Sequence, residues 1–389
     1  MNTAPNKILV RGVNWLGDAV MTTPALLRLR EKFSDAHITL LTQSKLADLW
    51  QQHPAINETI GFTAEESIFA IAKKLRAGKF DLALVLPNSP RSALEVFLAG
   101  IPQRIGHARP WRNFFLTQTV TPRAGAMKMH KRSEVEIQKL ISQKPETRIQ
   151  NPEISKTAHQ IFEHLNLTAA LGAKAEPLAP QLFVAPTEIE AVKIQFGLDK
   201  ITAPIFGLNP GAEYGPAKRW PAEKFGAAAK EIQERTNCSW ILFGGNSDAA
   251  TTAQIESVIG KVAVRKDQSA VFNLAGKTSL RELMALMKIC RVVLTNDTGP
   301  MHVAAALGTP LVVPFGSTSP ELTGPGLPGA ARNYLIKSDA PCSPCFLREC
   351  PIDFRCLNGI MEARVVEAVL ALAGGAPSGQ SPAKISLAE

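Results

Sequence analysis

The first candidate for chemistry is Asp18, in the segment RGVNWLGDAV, which follows an apolar run at residues 8–10 and carries Gly12, Trp15 and Gly17. Two glycines let backbone approach a ligand, and an indole offers a flat apolar wall. A carboxylate at a strand end facing a cleft suits a general base that takes a proton from a hydroxyl. An aspartate at a helix start is equally an ordinary cap, and the residues alone leave cap and base side by side. Pro24 either kinks the following helix or restarts it after Thr22 and Thr23.

Four other segments suit a phosphate or nucleoside. In FGLNPGAEYGPAKRWP a strand runs into a loop with Gly211, Ala212, Gly215, Lys218 and Arg219 before Pro221 at a helix start. Backbone amides and an ammonium there can share the charge of a diphosphate, although the adjacent Gly-Lys-Ser/Thr of a Walker loop is missing and a plain surface turn would look similar. In VVLTNDTGPMHVAAALG, the strand at 292–295 ends in Asn296, Asp297, Thr298 and Gly299, and His302 follows three residues into a small-residue helix. Helix amides and their dipole favour a leaving phosphate there, while a capped, closely packed helix with a structural histidine is the other reading. ILFGGNSDA, with Asp248, and NLAGKTSL, with Thr278, contact a nucleoside or simply turn the chain.

The front half carries basic residues from Arg91 through Arg104, His107, Arg109, Arg112, Arg123, Lys128 and Lys131 to Arg132. They form a solvated face or a site for a phosphorylated acceptor. Trp111, Phe114 and Phe115 interleave with them, but no recognised nucleic-acid motif accompanies them. Near the carboxyl end, PCSPCFLRECPIDFRC places Cys342, Cys345, Cys350 and Cys356 in C-x2-C-x4-C-x5-C spacing. Four such cysteines suit a structural zinc, with an iron–sulfur cluster and free thiols as the other readings.

These motifs need strand ends to carry them. Short β-branched runs at 8–10, 37–41 and 82–86, each before a helix-like stretch, predict a parallel α/β sheet, and runs at 205–208, 240–243, 292–295 and 311–314 predict a second. At 389 residues the chain is long enough for two domains. The expected division is 1–180, 181–358 with a Cys-rich loop at 340–357, and 359–389 as a terminal helix at 359–373 with a mobile tail. A hinge is expected near 175–186, in a region, 145–186, that carries Pro145, Pro152, Pro177, Pro180 and Pro186 around a helix-like stretch at 155–165. Open α/β sheets bind ligands beyond the carboxyl ends of their strands, so two facing domains predict an interdomain cleft. The absence of G-x-G-x-x-G after the first strand disfavours an ordinary dinucleotide dehydrogenase.

A net charge of +9 favours anionic partners. Lys7 and Arg11 interrupt the opening where a secretory signal needs an apolar core, and no apolar run reaches spanning length. Cytoplasmic residence and reduced cysteines are therefore expected.

Taken together, RGVNWLGDAVMTTPAL, VLPNSPRSAL with AGIPQRIG, NPGAEYGPAKRWP, NLAGKTSL and TNDTGPMHVAAALGTPLV resemble the ADP-heptose:lipopolysaccharide heptosyltransferases, and within them the heptosyltransferase II group. The resemblance spans both halves. It implies a GT-B architecture of two facing Rossmann-like domains, with an acceptor domain first and an ADP-heptose domain second. It further implies an inverting reaction with no cofactor, in which heptose passes from ADP-heptose to the first heptose of phosphorylated Kdo-lipid A.

By the same resemblance Asp18 is the catalytic aspartate and Lys218 holds the donor diphosphate. Gly211, Ala212, Asp248, Thr278, Asp297, Thr298, Gly299 and His302 are the remaining donor-site residues. Asn14, Trp15, Arg91, Arg109, Arg112 and Lys131 are candidates for the acceptor. The expected protein is a monomer, peripheral at the inner face of the inner membrane, that binds no nucleic acid. Heptosyltransferase I or III activity, or a non-catalytic nucleotide-sugar-binding protein, are the alternatives.

Overall fold

The computed structural model describes residues 4–143, 154–260, 270–330 and 332–374. Two six-stranded parallel sheets organise them. The first contains β1 (Lys7–Arg11), β2 (His37–Gln43), β3 (Glu58–Phe62), β4 (Leu82–Val85), β5 (Gln103–His107) and β6 (Gln118–Val120), in the order β3-β2-β1-β4-β5-β6. The second contains β7 (Ile205–Asn209), β8 (Ser239–Leu242), β9 (Val271–Asn273), β10 (Val293–Thr295), β11 (Leu311–Pro314) and β12 (Asn333–Ile336), in the order β12-β11-β10-β7-β8-β9.

Both orders are the same doubly wound topology. The chain reverses direction of growth between β1 and β4 in one sheet and between β7 and β10 in the other. Ligands bind at such switch points. Of the segments singled out for chemistry, three follow β1, β7 and β10, three of the four strands that flank these points, and the Asp248 and Thr278 segments follow β8 and β9. Central strands are buried on both faces, as in β1, where Ile8, Leu9 and Val10 are fully covered.

The helix Leu16–Lys32 is buried along most of its length because it packs on three partners: its own sheet, the helix Ile161–Ala169 and the helix Gly299–Ala306 of the second half. Pro24 lies inside this helix rather than restarting it. Its missing N–H would leave the Val20 carbonyl unbonded, and the Thr23 hydroxyl donates to that oxygen at 2.8 Å. The Thr22 hydroxyl does the same for Ala19 at 2.7 Å. One continuous apolar cluster includes Ile8 and Val20 from the first half and Met301, Val303 and Phe315 from the second.

The helix expected at 155–165 is displaced. A single 3-10 turn, Lys156–Ala158, forms first, because Ser155 Oγ accepts from the Thr157 amide. Extended His159 then interrupts, and the α-helix runs Ile161–Ala169. The terminal helix is Glu362–Ala373, preceded by a separate turn, Arg355–Asn358. It is not a detached unit, since Val365, Val366 and Val369 lie in the core of the second half. Pro145, Pro152 and the tail expected to be mobile from 375 onward lie outside the described residues. No helix among the described residues is long and apolar enough to cross a membrane.

Candidate active site

A cleft of about 810 Å³ opens between the two halves and is lined by the segments that follow β1, β7 and β10 and by the starts of the next helices. At its floor two helix starts cross at the separation of glycines. An ideal Cβ on Gly17 would stand 2.7 Å from His302 Cδ2, and one on Gly299 would stand 2.9 Å from Leu16 Cβ. A side chain at either position would require its neighbour on the other half to shift.

Asp18 sits beside this crossing, in the first turn of its helix. It is not the cap, because that position is Trp15. Burial raises the Asp18 pKa above the ordinary carboxylate value, and the Lys218 charge and a hydrogen bond from the Gln160 side chain partly offset the rise. Asp18 from the first half and Lys218 from the second therefore feel each other across one cleft, which both line.

Each residue of the Thr-Asn-Asp-Thr run after β10 has a distinct structural duty. Thr295 Oγ1 accepts from Asn209 Nδ2 at 3.1 Å. Asn296 is fully buried and clips the β7 loop by accepting from the Trp220 amide at 3.0 Å and donating to the Pro210 carbonyl at 2.7 Å. Asp297 pairs with Lys218 Nζ at 2.7 Å and accepts from the Thr318 hydroxyl. Thr298 caps the helix Gly299–Ala306 without a side-chain bond, leaving the helix start uncapped toward the cleft.

Lys218 is further steered by the Tyr214 ring, 5.0 Å from its ammonium. Tyr214 Oη donates to the Phe346 carbonyl at 2.8 Å. Gly215 has φ +151°, and a Cβ on it would stand 2.4 Å from the Arg348 carbonyl oxygen. Only glycine lets the Cys-rich loop lie against the cation-bearing loop this closely.

Gly211, Ala212, Lys218, Asp248, Thr278, Asp297, Thr298, Gly299 and His302 all line the cleft, together with Trp15 and Lys131. Asp248 Oδ2 accepts from the Gly245 amide at 2.9 Å, beneath Gly211. His302 is held neutral, its pKa pushed down to about 4 by burial against the opposing pull of Asp297.

Four acceptor candidates stand elsewhere. Asn14 accepts from Arg11 Nη1 at 2.8 Å. Arg91 is committed to Glu95 at 3.3 Å and to the Glu66 carbonyl at 2.8 Å. Arg109 donates to the Ala108 carbonyl at 3.0 Å. Arg112 is fully buried with its Nη1 donating to Asn88 at 3.3 Å, while its Nε and Nη2 have no hydrogen-bond partner.

The structural zinc that the cysteine spacing suits is not shown. Among the described residues no three His, Cys, Asp or Glu side chains gather to hold a metal. Cys342, Cys345, Cys350 and Cys356 are free thiols. Cys342 and Cys345 pack on Ile137, Cys356 enters the core with Leu357, and Cys350 Sγ accepts from the Phe354 amide at 3.3 Å. Backbone bonds hold the loop, including the Cys345 and Phe346 amides to the Ser317 carbonyl at 3.0 and 2.7 Å.

Sequence reasoning missed Gln160, Thr318 and Tyr214. Gln160 and Thr318 act from distant segments, and Tyr214, four residues before Lys218 in the same loop, carries no pattern that marks it.

Comparison with known proteins agrees with this geometry. The family glycosyltransferase family 9 (heptosyltransferase) matches residues 68–354. Lipopolysaccharide heptosyltransferase 2 of Escherichia coli K12 is 32% identical over 325 residues, which cover 82% of this chain and 85% of that one. The solved structure of the Escherichia coli ADP-heptose lipopolysaccharide heptosyltransferase II superposes with a TM-score of 0.72 at 28% identity, covering 94% of this chain and 98% of the other. A family 9 glycosyl transferase of Veillonella parvula shares the fold, with a TM-score of 0.75 at 22% identity over 97% of this chain and 99% of its own.

Proposed function

Because the chain belongs to glycosyltransferase family 9, the heptosyltransferases, we propose that it transfers heptose from ADP-heptose to the first heptose of the lipopolysaccharide inner core, adding the second. Residues 1–180 receive the acceptor and 181–358 the donor. The reaction is a single displacement. Asp18 takes the proton of an acceptor hydroxyl as that oxygen bonds to the anomeric carbon, and the bond from that carbon to the diphosphate breaks with inversion. The electron pair leaves with ADP, whose growing charge meets Lys218 and the helix start at Thr298 and Gly299.

In this reading no cofactor takes part. Asp297 and Thr318 hold Lys218 in place, Asp248 and Thr278 stand near the nucleoside, and Trp15 and Lys131 face the acceptor. The enzyme works at the inner face of the membrane that holds its lipid acceptor. The observation that carries the proposal is that Asp18 of the first half and Lys218 of the second line one cleft, near enough for their charges to interact. Incubation with ADP-heptose and an inner-core acceptor bearing one heptose should yield ADP and a product one heptose heavier. Donor binding with no transfer to that acceptor would overturn the reading, and transfer only to an acceptor lacking heptose, or already bearing two, would reassign the step.

A further inference from the structure

We propose that an exposed aromatic ridge on the first half, built from Phe97, Trp111 and Phe114, docks the enzyme onto an anionic lipid surface. This deepens the reading of a lipid-borne acceptor and rests on it. Trp111 and Phe114 are 88% and 83% exposed, values unusual for rings of this size. Phe97, Phe114 and Phe115 touch one another, with centroids 5.5 to 6.5 Å apart, so Phe114 is part of a contiguous apolar surface and not an isolated exposed ring.

The ridge is presented firmly. Trp111 has φ +64°, a conformation that bulky residues adopt only when their surroundings impose it. Its neighbour Arg112 is fully buried, lies against Gly106, and accepts the Phe115 amide on its carbonyl at 3.0 Å. A buried neighbour thus fixes the backbone that holds the indole out into solvent, where among the described residues no aromatic ring stacks on it.

Charge identifies the occupant. From Val96 to Ser133 the chain contains no Asp or Glu, although Lys and Arg recur throughout the interval. The Arg104 guanidinium lies 5.3 Å from the Phe97 ring centroid. Met127 and Met129, also exposed at 45% and 43%, alternate with Lys128, His130 and Lys131 in the same interval, which enters the cleft at Met129 and Lys131. Aromatic rings beside cations, with no acid among them, match an interface of anionic headgroups over acyl chains. A protein partner of ordinary composition would call for acidic counterparts, which this interval lacks. The acid-free interval reaching from the ridge into the cleft would bring a lipid-anchored acceptor to Asp18.

Flotation with vesicles of phosphatidylethanolamine, with and without phosphatidylglycerol and free of any acceptor, tests the proposal. The enzyme should bind the anionic vesicles more tightly, and added salt should weaken that binding. The paired substitution Trp111→Ser and Phe114→Ser should lower vesicle partitioning roughly tenfold or more. It should also lower transfer to vesicle-embedded acceptor, while leaving ADP-heptose affinity and transfer to a de-acylated acceptor unchanged. Equal vesicle binding by variant and parent would overturn the proposal, as would equal binding of neutral and anionic vesicles. A concentration-dependent dimer that the substitution abolishes would overturn it too, by showing that a second copy covers the ridge. Failure of the parent to act on the de-acylated acceptor would instead count against the assigned reaction, whatever the vesicles show.

Discussion

Replacing Gly17 by alanine adds one methyl group where the two halves of the molecule approach most closely. The new Cβ would stand 2.7 Å from Cδ2 and 3.2 Å from Nε2 of His302, whereas ordinary contact begins near 3.4 Å. Going from 2.7 to 3.4 Å asks for about 0.7 Å of displacement. The imidazole has little room to yield, since His302 is 5% exposed and its neighbours Met301 and Val303 are fully buried. The helix start that carries Asp18 must therefore share the shift.

A misplacement of about 1 Å at a reacting centre costs on the order of 100-fold in rate, so about 0.7 Å implies roughly 25-fold. The strain should also lower stability by about 1–3 kcal/mol. Steady-state kcat with saturating ADP-heptose, alongside urea unfolding, reads both. The same substitution made in a His302→Ala background meets no ring and should cost little relative to that background. Turnover of Gly17→Ala within about twofold of the parent would refute the reasoning. So would an equal penalty with and without the His302 ring, because the contact would then not be what positions Asp18.

Gln160→Leu removes a hydrogen bond that lowers the Asp18 pKa, so the acid limb of kcat/KM should move to higher pH while donor affinity holds; an unmoved limb would deny Gln160 that part. Lys218→Ala should weaken ADP-heptose binding and slow turnover together, because the same ammonium meets the diphosphate before and during departure, and titration calorimetry with kcat checks both. His53, His164 and His302 are held near pKa 4 from an ordinary 6.5, chiefly by burial. Between pH 6.5 and 4 the unfolded chain binds protons that the folded one refuses, so each histidine removes up to about 3 kcal/mol as pH falls across that window. Three together rival a whole domain's stability, and denaturant unfolding from pH 7 to 5 should show a steep loss, with His164→Leu flattening the slope.

The central strands were legible because burial on both faces leaves uninterrupted apolar runs, as in residues 8–10 and 311–314. The strands that escaped include all four sheet edges, β3, β6, β9 and β12. Their residues are short, polar or only partly covered, as in the sequence ETIGF of β3, so no apolar run marks them. The cleft was legible for a related reason: the glycines and polar residues after β1, β7 and β10 must lie at strand ends, and strand ends at switch points face a ligand.

What failed to show in the sequence depends on contacts between distant segments. Thr318 reaches Asp297 across 21 residues, and Gln160 reaches Asp18 from the far side of the first sheet's sequence. Arg112 reads as a surface cation in a basic run, yet the fold buries it beneath Trp111 against Gly106. Cysteine spacing suggested a metal; the fold brings Cys342, Cys345, Cys350 and Cys356 near enough to feel one another's charge, yet among the described residues no three such groups are placed to hold an ion.

The claim on which the rest stands is that a carboxylate of the first half acts as base on chemistry whose leaving group is held by the second. Asp18→Asn keeps the shape and removes the basicity. Turnover on ADP-heptose and inner-core acceptor should fall by about two to four orders of magnitude, while the dissociation constant for ADP-heptose stays within about twofold of the parent. Near-parental turnover in that variant would contradict the account.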